Sequence, residues 1–141
     1  MISTARDEII KLVYDGLKAD AETVSMPILY EDVDGDKPSS GDISWCRISV
    51  KHVTGNQSTL SNNNGIRRYK RTGILIVQLF AGIGTGMSLS DKYSKIIVDS
   101  LDGKSTTSGV WLRNVRVNEV GRDGSWFQTN IFADFEYEEE K

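Results

Sequence analysis

The sequence has few of the residues from which disulfide scaffolds and metal centres are built. Its 141 residues include one cysteine, Cys46, and one histidine, His52. A single cysteine excludes an internal disulfide, whereas small secreted domains usually carry several. One histidine excludes a multi-histidine zinc site built from this chain alone. We therefore expect a protein made in a reducing cytoplasm, with neither a cofactor nor a metal.

Long apolar runs and a strong charge excess are also absent. No stretch approaches the roughly 20 apolar residues of a membrane-spanning helix, and no apolar run of signal-peptide length opens the chain. The net charge of −3 gives no global argument for nucleic acid or membrane binding. Hydrophobic residues make up 38% of the chain and charged residues 26%, which indicates a globular protein. The length favours one domain over residues 1–141.

Two segments, residues 4–20 and 89–101, have the periodicity of amphipathic helices. Their apolar stripes contain Ile9, Val13 and Leu17 in the first segment, and Leu89, Tyr93, Ile96, Ile97 and Leu101 in the second. Thr4 and Ser88 are suited to cap the N-termini. Gly103 is suited to end the second helix in a left-handed conformation. Each helix should lie with its stripe on an apolar surface.

Five further segments have the composition of β-strands. They are residues 26–30, 45–53, 67–81, 109–121 and 124–137. Cys46, Ile48 and Val50 alternate with polar residues, which is typical of a half-buried strand. The order α-β-β-β-α-β-β predicts an α+β fold, with one mostly antiparallel sheet of about five strands and two helices packed on it.

Two turn signals predict how four of these strands pair. A hairpin turn at Asn64-Gly65 would oppose Val50 to Leu79, Val53 to Ile76 and Leu60 to Tyr69. A turn at Asp123-Gly124 would oppose Leu112 to Phe135, Arg113 to Asp134, Val115 to Phe132 and Val120 to Phe127. The second register places Trp111 and Trp126 on one face, as core or interface anchors. Residues 138–141 are expected to be a short solvated end.

The polar stretch between the second and third strands is unusually long, and loops of this length are often functional. Residues 55–71 should project from the core as a hairpin arm. The candidate interface residues are Asn62, Asn63 and Asn64 with the return strand Arg67, Arg68, Tyr69, Lys70 and Arg71. This basic run is a solvated face that discourages aggregation, a nucleic-acid contact or a protein contact. We expect the arm to be an assembly element that is mobile until docking orders it.

Candidate chemical sites have weaker support. The glycine-rich residues 82–86 lack the lysine of a phosphate-binding loop and the third glycine of a dinucleotide motif, so a flexible connector is favoured over a weak anion site. The acidic residues within 31–36 lack the spacing of a calcium loop. Cys46 is expected to be a buried core thiol. No catalytic, cofactor-binding or metal-binding residue is predicted.

Along nearly its whole length the chain resembles the tail terminator (tail completion) proteins of long-tailed bacteriophages, the group that includes the lambda tail terminator. The resemblance rests on the opening helix, the strand WCRISVKHV, the segment GIRRYKRTGILIVQLFA and the second helix. It extends to the closing segment VRVNEVGRDGSWFQTNIFADFEY, whose turn at residues 121–126 precedes the final strand.

The resemblance implies a structural virion protein, made in the host cytoplasm and located at the head-proximal end of the tail. Such proteins form a ring, usually a hexamer, that ends tube growth and provides a docking surface for the head connector or stopper. The resemblance implies no enzyme activity and no membrane partner, with DNA only passing through the lumen. The alternatives are another head–tail junction adaptor, a minor tail protein, or a small nucleotide- or nucleic-acid-binding module. A further hypothesis pairs the basic residues of 67–71 with residues 31–36 or 138–140 of a neighbouring subunit.

Overall fold

The computed structural model describes residues 2–20, 23–24, 26–30, 44–57, 68–82, 87–123 and 126–140. Its elements are α1 (Ile2–Ala19), β1 (Ile28–Tyr30), β2 (Trp45–Gln57), β3 (Arg68–Gly82), α2 (Met87–Leu101), β4 (Trp111–Asp123) and β5 (Trp126–Glu140). The predicted α+β class and the order α-β-β-β-α-β-β are confirmed.

Both helices begin two residues earlier than the predicted segments 4–20 and 89–101, at Ile2 and Met87. Helix α1 starts at Ile2, so Thr4 lies inside the helix and its first turn contains no acidic residue. Helix α2 starts at Met87, so Ser88 is also helical and not a cap. The predictions were wrong because serine and threonine, although favoured at caps, are also tolerated inside helices at a small cost. Gly103 has a φ of 68°, as its predicted role at the end of α2 requires.

The two helices pack on the same face of the sheet. The predicted α1 stripe of Ile9, Val13 and Leu17 is fully buried. In α2, Ile97 and Leu101 of the predicted stripe are buried. They cover the inward residues Cys46, Ile48 and Val50 of β2, Leu75, Val77 and Leu79 of β3, and Ile131, Ala133 and Phe135 of β5. Burial of each large aliphatic or aromatic side chain contributes roughly 1.5–3 kcal/mol, so this layer is the main source of stability.

The five strands form one sheet in the order β1-β2-β3-β5-β4. Strand β1 runs parallel to β2 and pairs Ile28 with Cys46, while all other pairs are antiparallel. Central strand β3 is paired along its whole length with β5, from Arg68 opposite Glu140 to Gly82 opposite Trp126. Strand β4 therefore lies at one edge of the sheet and β1 at the other.

The predicted register of β2 on β3 was wrong. Val50 lies opposite Leu75, and Tyr69 lies opposite Gln57. A bulge between His52 and Thr54 leaves Val53 unpaired and 67% exposed. At Val50 the observed and predicted registers differ by an even number of residues, which leaves the same side chains facing the core. The alternation of polar and apolar residues therefore could not distinguish the two registers. The packing of both strands against β5 and the helices selects the observed one.

The predicted register of β4 on β5 was correct at the end of the hairpin that lies away from the turn. Leu112 lies opposite Phe135 and Arg113 opposite Asp134, as predicted. Farther along, Arg116 replaces Val115 opposite Phe132, and Arg122 replaces Val120 opposite Phe127. Two bulges cause the shift, since each inserts one residue into β4. Asn114 at the first bulge and Gly121 at the second have positive φ values, of 53° and 118°. Bulges in an edge strand discourage unwanted pairing with other chains.

Candidate functional site

Reactive side chains on the described residues are separated from one another. Cys46 lies in the core, as predicted, and burial raises the pKa of its thiol to about 12. His52 Nε2 shares a 2.8 Å hydrogen bond with the Tyr137 hydroxyl. No group of three or more His, Cys, Asp and Glu side chains is placed to hold a metal ion within the described ranges.

Over the same ranges, neither helix is both long and apolar enough to cross a membrane.

We expect Cys46 to react with a thiol reagent only after the chain unfolds. Its folded pKa is raised from 9.0 to about 12, so the stability linked to this thiol is complete below pH 9.0. That stability is lost as pH rises toward 12, at roughly 1.4 kcal/mol per pH unit. Unfolding free energies between pH 8 and 11 should fall more steeply for the native chain than for Cys46→Ala. Rapid labelling of the native protein, independent of denaturant, would contradict the buried thiol.

The predicted interface residues fall at the start of β3 and just before it. Tyr69, Lys70 and Arg71 follow Arg68, which begins the strand. Asn62, Asn63, Asn64 and Arg67 lie outside the described residues. The structure therefore places the root of the arm, and the part of the prediction that concerns its tip remains a prediction.

The root of the arm contains three strands, where the sequence predicted two. On one side of β3, Tyr69, Lys70 and Arg71 pair with residues 55–57 of β2. On the other side, residues 68–71 pair with residues 137–140 of β5. Residues 138–140, predicted to be part of a short solvated end, are the last residues of strand β5, and Glu138 is exposed as predicted. Glutamate is a poor strand former, but here a basic strand lies directly opposite and opposite charges across a sheet are favourable.

The acidic residues of β5 supply counter-charge within the same chain. Lys70 Nζ lies 2.9 Å from a carboxylate oxygen of Glu136, and Glu136 also pairs with Arg113. Glu138 lies opposite Lys70 in the register. Residues 138–140 lie beside the basic run of their own chain, and their contact with the basic run of a neighbouring subunit stays a prediction. Residues 31–36, the other suggested acidic partner, lie outside the described residues.

This internal pairing weakens the nucleic-acid interpretation of the basic run. Each partly exposed ion pair contributes only about 0–1 kcal/mol to stability. Its main effect is therefore to lower the net positive charge that the arm presents. Affinity for nucleic acid depends on cationic groups available to phosphates, and a strand flanked by its own carboxylates offers fewer of them.

Replacing Glu136 with glutamine should lower the free energy of unfolding by about 1 kcal/mol at low salt. The carboxylate serves both Lys70 and Arg113 and is only 21% exposed, so its loss affects two cations at once. High salt screens such pairs, so the difference should shrink there. Urea unfolding at both salt levels measures it, with Glu119→Gln on exposed β4 as the matched control. An equal effect of both substitutions would show that the Glu136 pairing contributes nothing.

Trp111 and Trp126 lie on the same face of the sheet, near opposite ends of the β4–β5 hairpin, as predicted. This is the face without helices. Trp126 is buried there in a small cluster, where it packs edge-on against Trp45 at 5.8 Å. The Trp45 ring stacks on Phe80 at 4.1 Å. Sequence reasoning missed this second core. The signal that could have revealed it is that Trp45 alternates with Cys46, Ile48 and Val50, so that a large aromatic side chain lies on the otherwise polar face of β2.

Trp111 is 61% exposed and stands beside a cleft of about 400 Å³. The cleft lies at the root of the arm, where Lys70, Glu136 and Glu138 line it together with Gly109. A large exposed aromatic with charged neighbours has the composition of a contact residue in protein interfaces. The arm root and Trp111 therefore form the candidate site, and its role in binding stays a prediction.

Comparison with known proteins gave structural relatives only. No family model and no curated protein matches the chain. One solved structure, of a protein whose name states no function, is 15% identical with a TM-score of 0.69, covering 96% of this chain and 94% of that one. Another is a chain from the virion of a native gene transfer agent particle, 15% identical with a TM-score of 0.52, covering 90% of this chain and 92% of that one. At such identity the likeness shows a shared fold.

Proposed function

We propose that this chain is a structural virion protein that acts by binding and not by catalysis. The observation that carries the proposal is the fold shared with a chain of the gene transfer agent virion, over 90% of this chain and 92% of the other. The match spans almost all of both chains, so it relates the arrangement of two helices and five strands and not a single common hairpin. Fold alone does not define function, and the sequence resemblance to tail terminators points in the same direction.

The specific role that we propose is that of a tail terminator. In this role, copies of the chain form a ring on the head-proximal end of the tail tube, and the family resemblance implies that the ring is a hexamer. The ring ends tube growth and gives the head connector or stopper its docking surface, while DNA passes through the lumen. The partners are then other copies of the chain, the tube protein and the connector or stopper.

In a ring, each subunit contacts the next one head to tail, so it must present two different surfaces that fit one another. Such contacts form a closed ring when the rotation from one subunit to the next adds up to a full turn. The described residues supply two surfaces of unlike chemistry. One is the arm root with Trp111. The other is the far part of edge strand β4, where Val117 and Val120 are 47% and 52% exposed. Their difference supports a head-to-tail arrangement over a two-fold symmetric dimer.

Gold labelling of this chain on phage particles, viewed by electron microscopy, tests the proposal. Label confined to the head–tail junction supports a terminator or a close neighbour of one. Label along the tube, at the baseplate or nowhere on the particle contradicts the terminator role. Counting the copies per particle then tests the ring.

A neighbouring junction adaptor is the second candidate, because the matched relative is identified only as part of a virion. Phage lacking the chain separate the two roles. Without a terminator, tube growth has no stop and overlong tubes should accumulate. Without an adaptor, tails should reach normal length and fail to join heads.

A further inference from the structure

Strand β5 continues beyond the point where β4 begins. Trp111, the first residue of β4, lies opposite Glu136. The remaining residues of β5 pair with β3 in the arm root, with Glu138 opposite Lys70 and Glu140 opposite Arg68. Among the described strands, β3 is the only partner of residues 137–140. Tyr137 still belongs to the helix-covered core, and residues 138–140 are the part of β5 that belongs to the arm root.

A two-stranded hairpin is marginally stable in water, and a third strand is normally needed for independent order. The arm root meets this condition only because residues 137–140 lie beside β3. Glu138 lies opposite Lys70 in this strand, and opposite charges across a sheet are favourable. Just inside it, Lys70 Nζ lies 2.9 Å from a carboxylate oxygen of Glu136.

The base of this third strand also contacts β2 directly. Tyr137 is buried, and its hydroxyl lies 2.8 Å from Nε2 of His52 on β2. Between them β3 contributes Gly73, and the neighbouring Phe135 ring occupies the space that a side chain at Gly73 would need. Strand β5 thus contacts both strands of the hairpin where the arm leaves the core.

We propose that residues 138–140 brace the root of the arm, residues 55–57 and 68–71, fixing its order in the free subunit so that it is already positioned for docking. The docking part rests on the proposed function, whereas the bracing itself does not. The brace concerns the root, and the expectation that docking orders the rest of the arm stays a prediction. A pre-ordered root loses less conformational entropy when it binds.

Hydrogen exchange of the isolated full-length chain tests the brace against a variant that ends at Tyr137. The decisive segment is residues 55–57, which pair with β3 and do not touch β5 in the register. Their amides should exchange on the order of tenfold faster in the shortened chain, because the whole hairpin opens more often. Core amides of residues 75–79 should be unchanged, which shows that the variant is folded.

Charge exchange provides a second test at full length. Lys70→Glu and Glu138→Lys should each speed exchange at residues 55–57, and the double variant should restore part of the slower rate, because the carboxylate introduced at position 70 still faces Glu136. Unchanged exchange at 55–57 in the shortened chain, with the core intact, overturns the brace. Faster exchange combined with normal tail completion keeps the brace and removes the arm from docking, so the two proposals fail separately.

Discussion

Gly73→Ala should lower the free energy of unfolding by about 2–4 kcal/mol, near the upper range for overpacking a core. A Cβ at this position would overlap the carbonyl oxygen of Lys51 and the ring of Phe135. The first is backbone in a paired strand, and the second belongs to a side chain that is 1% exposed, so neither can move cheaply. The unfolded-state advantage of alanine over glycine offsets roughly 0.5–1 kcal/mol of this cost.

Urea unfolding followed by tryptophan fluorescence measures the effect. Gly103→Ala is the matched control: it also removes a glycine, at a φ of 68° but with open space around it. It should cost only about 1 kcal/mol. Combining Gly73→Ala with Phe135→Leu should cost less than the sum of the two single changes, because the smaller side chain makes room. A Gly73→Ala protein as stable as the wild type would show that Phe135 does not lie over β3 at this position.

Deletion of residues 56–64 should leave the fold intact and abolish tail completion. The deletion joins Gly55 to Gly65, and the buried core residues that the structure describes all lie outside it. Pairing of β2 with β3 below the bulge, from Trp45 opposite Phe80 to His52 opposite Gly73, remains. Thermal stability should therefore change little, since surface segments away from core contacts contribute little to the free energy of unfolding.

The functional loss is measured by complementing a phage that lacks the chain, with infectious titre and tail length as readouts. A variant in which a Gly/Ser segment of equal length replaces residues 56–64 separates the length of the arm from its chemistry. If that variant completes tails, only the span of the arm matters. Normal infectious tails from the deletion itself would refute the arm as an assembly element.

Some features could be predicted because they depend on neighbours in the chain. Alternation of Cys46, Ile48 and Val50 identifies β2 and its inward face at a period of two, and the stripe of Ile9, Val13 and Leu17 identifies α1 at a period near 3.6. Gly103 ends α2 for a local reason as well, because a left-handed conformation favours glycine. The confirmed element order and α+β class follow from local patterns of this kind.

The candidate site was predicted less completely than the fold. The basic run was found as a run of charge, and Trp111 as a possible anchor, but their position beside one cleft depends on β5 lying between β3 and β4. Glu138 was predicted to lie in a solvated end and is exposed, but its place in a strand opposite Lys70 was not predicted. The opposing charges of β3 are distant in sequence, so no local pattern indicated them.

By itself, the sequence determined the order of the elements and the inward faces of α1 and β2. Only the tertiary structure decided the register of Val50 on Leu75, the parallel pairing of β1 with β2, and the third strand of the arm. The physical reason is the same in each case. Local periodicity is unchanged when one strand slides past another by an even number of residues, whereas packing between distant strands and helices, with their charges, distinguishes the alternatives.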